Sequence, residues 1–347
     1  MSFLKGLFAG GSARQVRVEP SGCEFEVTKG ETVLESALKR GIAFPHDCTV
    51  GTCGTYRVKL LDGRVEAITP FGYTLSREEL EANFILACQA LPKSDLTIEV
   101  EIASGDVITA TRQRATLNSV SDLTHDIKRL TFTVDTAINW RAGQYANISW
   151  DDSGEHRSYS FATAPTQGGS LQVQTFVRNV PGGRFTDALF GGDLAALNFE
   201  IDGPHGNFWL GEAEGPILCI AGGSGLAPIH SLLEDAARRR IRRDCIFLFG
   251  ARSTRDLYAA DEIAAIRSRW TAGFDFWPIL SEEPTDGFRD GWVTDHIPAA
   301  LERLGPGAPA YLCGPPPMID AAIPLLHRQI SVDNIHYDKF TDKSSDP

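Results

Sequence analysis

Three cysteines and a tyrosine stand at spacings that could do chemistry. Cys48 and Cys53 enclose Thr49-Val50-Gly51-Thr52, Tyr56 follows Cys53 after two intervening residues, and Cys88 lies farther on. Thiolates are soft ligands for iron–sulfur clusters, and C-x4-C-x2-C with a distant further cysteine is a [2Fe–2S] ligand spacing. Glycine lets the backbone come close to the bridging sulfides, and Gly51 and Gly54 supply it. Cys48, Cys53 and Cys88 are therefore candidate metal ligands. The remaining position falls on Tyr56. A phenol has a pKa of about 10 and is a hard oxygen donor, bulkier than a thiol. Tyrosinate does ligate haem iron. Ligation through Tyr56 and a cluster that is absent, labile or altered both stay open at this point.

The loop needs a frame. Gln15-Val16-Arg17-Val18-Glu19 and Cys23-Glu24-Phe25-Glu26-Val27 alternate polar and apolar residues around a Ser-Gly turn, which predicts a hairpin. Thr32 to Arg40 has helical spacing and stops at Gly41. Arg57-Val58-Lys59-Leu60-Leu61 leaves the loop as a strand, and Leu96-Thr97-Ile98-Glu99-Val100 closes the unit. Hairpin, helix, loop and closing strand predict a β-grasp arrangement over residues 14–103.

Two further regions follow a boundary near Ala103-Ser104-Gly105-Asp106. Residues 108–211 read as an antiparallel β-barrel, with clean alternation in Leu130–Val134 and Leu171–Val177 and one short helix at Thr186–Phe190. Residues 213–340 alternate strand and helix, which means a parallel sheet covered on both faces. Ile217–Ala221 is a buried strand, and Gly222-Gly223-Ser224-Gly225-Leu226-Ala227-Pro228 turns from it into a helix read as Ile229–Arg240. That is the context a dinucleotide turn requires. Pro181-Gly182-Gly183-Arg184-Phe185-Thr186 opens the short barrel helix, and a helix N-terminus binds phosphate. Arg252, Ser253 and Arg255 follow the second parallel strand, where a dinucleotide ribose binds and where basic residues could hold a 2′-phosphate. Asp256, Asp261 and Glu262 argue against that.

Together with His156-Arg157-Ser158-Tyr159-Ser160-Phe161 and Cys313-Gly314-Pro315-Pro316-Pro317-Met318, these motifs resemble those of a known family. It comprises the NADH-dependent reductase components of bacterial ring-hydroxylating dioxygenases and soluble monooxygenases, within the ferredoxin–NADP reductase superfamily. The resemblance runs from about Arg14 to Phe340 and carries four motifs in the family's order: cluster loop, R-x-Y-S, G-G-x-G-x-x-P and C-G-P-P-P. It implies a multidomain α+β protein: a β-grasp ferredoxin domain, an antiparallel β-barrel FAD domain and an α/β parallel-sheet NAD domain. It implies that Arg157 faces the FAD pyrophosphate, that Ser158 belongs to the same flavin motif, that Tyr159 stacks on the isoalloxazine and that Ser160 hydrogen-bonds near flavin N5. Gly182, Gly183, Arg184 and Thr186 then receive the pyrophosphate. Gly222, Gly223, Gly225 and Pro228 form the coenzyme turn. Cys313 stands beside nicotinamide C4, Gly314 and Pro315 lie under the nicotinamide, and Phe340 is the terminal aromatic that stacks on the flavin. Ser160, Cys313 and Phe340 are thus the catalytic candidates. The implied activity passes electrons from NADH through FAD and the [2Fe–2S] centre to a separate oxygenase or hydroxylase.

Composition is compatible with this. The chain has 347 residues, enough for two or three domains, with 42% hydrophobic and 22% charged residues. A net charge of −12 argues against nucleic acid and against an anionic membrane as partner. No apolar run has the length of a membrane span. The start, Met1 to Phe8, is too short and interrupted for a signal peptide and reads as an N-terminal arm. The seven cysteines are odd in number and not laid out as a disulfide framework, so a cytoplasmic location is expected. Cys219 and Cys245 read as buried strand residues, and the arginine run Arg238 to Arg243 as a solvated face. Tyr56 leaves two alternatives beside the full electron path: a cluster-deficient NADH:acceptor flavoprotein, and a ferredoxin-like module used only for docking.

Overall fold

A computed structural model describes residues 13–40, 42, 44, 57–100, 108, 110–150, 155–191, 198–211 and 214–340. The chain divides into two compact units, Met1–Val107 and Ile108–Pro347.

In the first unit, β1 (Arg14–Glu19) and β2 (Cys23–Val27) form the predicted hairpin. Val16, Val18, Phe25 and Val27 point inward, as strict alternation demands. Helix α1 (Val33–Lys39) starts at Thr32, whose side chain accepts from the Glu35 amide while Glu35 accepts from the Thr32 amide. This reciprocal cap satisfies two of the donors a helix start leaves open. Strand β3 (Arg57–Asp62) is followed by β4 (Val65–Ala67), helix α2 (Arg77–Glu81), β5 (Phe84–Leu86), β6 (Ala90–Pro92) and β7 (Leu96–Glu99). The sheet order is β2-β1-β7-β3-β5, with β1 and β7 parallel at its centre. That is the expected β-grasp. The small β4–β6 pair and α2 are too short to show a period in the sequence. The predicted loop between α1 and β3 and the boundary near 103–106 lie outside the described residues.

The second unit begins with β8 (Thr111–Asp122), β9 (Ile127–Ile138), β10 (Tyr145–Trp150), β11 (His156–Ser160) and β12 (Ser170–Arg178). Helix α3 (Arg184–Gly191) and β13 (Phe199–His205) complete this part. The antiparallel order is β11-β10-β13-β8-β9-β12. The sheet curls until its edges meet: Phe161 bridges Thr175, and the Ala162 amide donates to Gln174 at 2.8 Å. Trp150, Phe132, Phe161, Phe185 and Phe199 fill its interior.

Next come β14 (Ile217–Gly222), α4 (Leu226–Arg238), β15 (Cys245–Ala251), α5 (Ala260–Arg269), β16 (Phe274–Leu280), β17 (Arg289–Asp290), α6 (Ile297–Leu304), β18 (Ala310–Gly314), α7 (Pro316–Leu326) and β19 (Ile335–Lys339). Every pairing is parallel, in the order β17-β16-β15-β14-β18-β19. Apolar clusters lie on both faces. Helix α4 starts three residues before its predicted position. Pro228 sits in its first turn, where the missing N–H would have had no helical acceptor.

One expectation is corrected. The arginine run is not all solvated. Arg238 and Arg239 pair with Glu234 and Asp235 on the surface, but Arg243 is buried and donates to the carbonyls of Gly215 and Gly211. Its stem and guanidinium tie the chain entering β14 to the sheet.

Candidate functional site

Strand β11 carries the R-x-Y-S motif. Its register against β10 sets Ile148 opposite Arg157, Ala146 opposite Tyr159 and Tyr145 opposite Ser160. Alternation then separates two functions. Arg157 and Tyr159 share one face of the strand, and Ser158 and Ser160 the other. The Arg157 guanidinium lies 5.6 Å from the Trp150 ring centroid. Trp150 packs on Phe185 at 4.6 Å, and Tyr159 reaches the same ring at 5.9 Å. Phe185 is the second residue of α3. An aromatic floor therefore fastens β11 to the start of that helix. Ser160 is buried, while the exposed Ser158 donates to Asn147 Oδ1 at 2.7 Å.

The turn into α3 is built on two glycines. Gly182 has φ +76° and open space where a side chain would point. At Gly183 a Cβ would come within 2.8 Å of the Val180 carbonyl oxygen. The Thr186 hydroxyl is spent inside this turn. It donates to Val180 O at 2.8 Å and accepts from the Val180 amide at 3.3 Å. Thr186 thus shapes the turn, rather than offering its hydroxyl outward as a phosphate ligand. Arg184 and Arg157 converge on one carboxylate: Glu155 lies 3.6 Å from the first and 4.0 Å from the second. Two guanidiniums beside a helix N-terminus make a place for an anion of higher charge. The arrangement fits the pyrophosphate of FAD.

The coenzyme motifs meet where the strand order reverses. β14 lies between β15 and β18, so the crevice opens past Gly222 and Gly314. Ligands of open parallel sheets bind at such a switch point. Helices α4 and α7 both start there, with their partial positive ends toward it. The backbones touch: a Cβ on Gly225 would stand 2.7 Å from Gly314 Cα, and one on Gly314 would stand 3.1 Å from Gly222 O. Gly314 has φ +154°. Only glycine tolerates these approaches. Pro315 is the N-cap of α7, and Pro follows in its first turn. The Tyr258 hydroxyl donates to Gly223 O at 2.9 Å and holds the turn from the next loop. These features fit a dinucleotide pyrophosphate and nicotinamide.

Cys313 is fully buried, and burial with the nearby Asp338 carboxylate pushes its thiol well up. The Phe340 amide donates to Gly314 O at 2.9 Å. Phe340 packs against the cluster that contains Cys313, Ala162 and Phe176. The end of the flavin strand and the end of β18 therefore share one apolar core.

Of the candidate cluster ligands, Cys88 is described, and Cys48 and Cys53, together with Tyr56 at the remaining position, lie outside the described residues. Cys88 is buried between β5 and β6, beside the α1 start, where the Leu34 amide donates to Ala87 O at 3.1 Å. Arg57 pairs with Leu86, two residues before Cys88. Three thiolates are the soft donors that an iron–sulfur cluster takes, whereas a phenol is a hard oxygen of the kind that ligates haem iron.

Several partners had no signal in the sequence. Trp150, Tyr258 and Asp126 stand outside the motifs they serve, and Glu155, directly before the Arg157 motif, carries no sign that it also reaches Arg184. Asp126 of the barrel reaches Arg252 of the coenzyme loop at 3.0 Å. His230 Nδ1 lies 2.7 Å from Ala162 O, and the Ser231 hydroxyl donates to Thr163 O at 2.6 Å. These bonds fix α4 to the barrel. Among the described residues no helix is long and apolar enough to cross a membrane.

Known proteins share this organisation. Residues 16–93 match the family described as 2Fe-2S iron-sulfur cluster binding domain. Residues 114–209 match the oxidoreductase FAD-binding domain, and residues 219–323 the oxidoreductase NAD-binding domain. The xylene/toluene monooxygenase electron transfer component of Pseudomonas putida is 40% identical over 322 residues, which is 92% of this chain and 91% of that protein. The crystal structure of an Amycolatopsis cytochrome P450 reductase superposes with a TM-score of 0.71 at 34% identity, over 95% of this chain and 99% of that one. A ferredoxin reductase of carbazole 1,9a-dioxygenase gives 0.66 at 28% identity, over 95% and 99%. The chain belongs to the family of electron-transfer reductase components of oxygenase systems, built from [2Fe–2S], FAD-binding and NAD-binding modules.

Proposed function

We propose that this chain takes reducing equivalents from NADH and delivers them singly to the terminal component of an oxygenase or hydroxylase system. Its working modules are residues 14–103 for the cluster, 108–211 for FAD and 213–340 for the coenzyme. FAD supplies the two-to-one conversion and the [2Fe–2S] centre the exit. Arg157, Arg184 and the amides after Gly182-Gly183 bind the flavin pyrophosphate. Tyr159 and Phe340 cover the ring system, and Ser160 offers its hydroxyl at the reacting edge. Gly222, Gly223, Gly225 and Gly314 let the coenzyme backbone come close. The neutral Cys313 thiol lines the nicotinamide position without competing as a nucleophile. Cys48, Cys53 and Cys88 hold iron, and Tyr56 occupies the fourth position. The place of work is the cytoplasm, where NADH is made.

One observation carries the reading: Ala162, two residues past Ser160, shares its apolar core with Cys313 and Phe340. Donor and acceptor sites thus belong to one rigid interior, as hydride transfer requires. The experiment is a visible spectrum with iron analysis of the purified chain, beside NADH-dependent reduction of ferricyanide and of cytochrome c. The expected result is flavin bands with additional charge-transfer absorption, iron near two per chain and reduction of both acceptors. Flavin bands alone, with ferricyanide reduction intact and cytochrome c reduction lost, would refute the full path. A gain of iron in Tyr56→Cys would then assign the defect to that position.

A further inference from the structure

The loop after β15 carries Arg252, at the place where a dinucleotide's ribose is read. A bare arginine there would invite the 2′-phosphate of NADPH. This one is not bare. Its Nη2 lies 3.0 Å from Asp126 Oδ2 of the barrel and 3.0 Å from Asp256 Oδ1 of its own loop. Both carboxylates are largely shielded, with side chains 19% and 10% exposed. Each is fixed by further bonds. The Thr124 hydroxyl donates to Asp126 at 2.9 Å, and Arg178 lies 3.5 Å from the same carboxylate. The Ser253 hydroxyl and amide donate to Asp256 at 2.8 and 3.0 Å. Against the burial that would raise it, these Ser253 bonds and Arg252 hold Asp256 below the usual carboxylate range. The Glu282 amide donates to Arg252 O at 2.9 Å, which brings another acidic residue to the loop.

We infer that Asp126 and Asp256 sequester Arg252 and so make this chain selective for NADH, with Asp126, a barrel residue, acting as a specificity determinant of the coenzyme site. The inference rests on the coenzyme reading given above. The physical reason is charge counting. A 2′-phosphate brings about −1.5 to −2 charges. It would meet a cluster in which Arg252 and Arg178 are already matched by the two carboxylates, and it would have to displace fixed hydrogen-bonded anions to reach Arg252. A ribose 2′-hydroxyl carries no charge and meets no such barrier. Arg252 also joins the ribose loop to the barrel, so its position is set by both parts of the unit.

The test uses the full-length FAD-loaded chain and calorimetric titration with 5′-AMP and 2′,5′-ADP, beside kcat/KM for NADH and NADPH. The parent chain is expected to bind 5′-AMP and to bind 2′,5′-ADP at least about tenfold more weakly. Asp126→Asn/Asp256→Asn keeps the shapes and the Ser253 acceptor. It is expected to tighten 2′,5′-ADP about tenfold or more, as release of one guanidinium from two carboxylates implies. Binding of 5′-AMP should change less than threefold. Adding Arg252→Ala should abolish the gain. If the parent binds both nucleotides equally, or if the double variant binds 5′-AMP normally and gains nothing for 2′,5′-ADP, the inference is overturned. A parent that binds neither nucleotide would overturn the coenzyme reading itself, and that outcome is distinct from the others.

Discussion

A methyl group at position 225 would strike the strand end that carries Cys313. The ideal Cβ of Gly225→Ala stands 2.7 Å from Gly314 Cα and closer still to the Cys313 carbonyl. Carbon atoms rest at about 3.5–4.0 Å, so the glycine turn and the end of β18 must part by roughly 1 Å. Both neighbours are backbone, and no side chain can rotate away. Overpacking of this kind costs about 1–3 kcal/mol of stability. The displacement acts on the two segments that hold the coenzyme, and a misplacement of about 1 Å costs on the order of 10²-fold in rate. NADH-dependent ferricyanide reduction should therefore fall by roughly that factor, with flavin absorbance retained. Gly191→Ala is the control, because a Cβ there meets nothing within 4 Å. If Gly225→Ala kept kcat and KM within twofold of the parent, the close approach would not position the coenzyme.

Three other outcomes follow from the geometry. Arg157→Ala removes a charge-assisted contact worth about 1.5–3 kcal/mol, so FAD affinity by fluorescence titration should fall roughly tenfold to hundredfold; an unchanged affinity would remove Arg157 from the flavin site. Thr186→Val removes the hydroxyl that donates to the Val180 carbonyl, which keeps the Gly183 amide, and that accepts from the Val180 amide; a loss of about 1–2 kcal/mol in urea unfolding, with faster FAD release, is expected, and a stable variant with normal FAD retention would deny the turn its role. Burial lowers the pKa of His230 against its bond to Ala162 O. The unfolded chain then binds the extra proton first, so stability is complete above about pH 6.5 and is lost as pH falls below it, at up to about 1.4 kcal/mol per pH unit. His230→Gln should flatten that slope in denaturant titrations between pH 7 and 5, and an unaltered slope would assign the acid sensitivity elsewhere.

Local chemistry alone determined much of this protein. Period-two alternation predicts β1, β2 and β9, because a strand buried on one face must repeat every second residue. The Gly-rich turns at 182–183 and 222–225 are legible because backbone approach and positive φ admit no other residue. The candidate ligands Cys48, Cys53 and Cys88 are legible because their chemistry depends on residue type and spacing. The sequence places the start of α4 three residues late, since a proline inside a helix's first turn looks like a boundary until its unneeded N–H is considered. The burial of Arg243 is not legible, because a run of arginines carries no sign of which one turns inward to the Gly211 and Gly215 carbonyls. Tertiary structure alone decided which distant residues complete each site. Arg157 and Arg184 come from different elements and meet at Glu155 only when β11 curls against α3. Cys313, Phe340 and Ala162 share a core only because parallel and antiparallel sheets pack in one unit. The charge of Arg252 is legible in the chain; that Asp126 neutralises it is not, because ion pairs across 126 positions leave no period, motif or spacing to read.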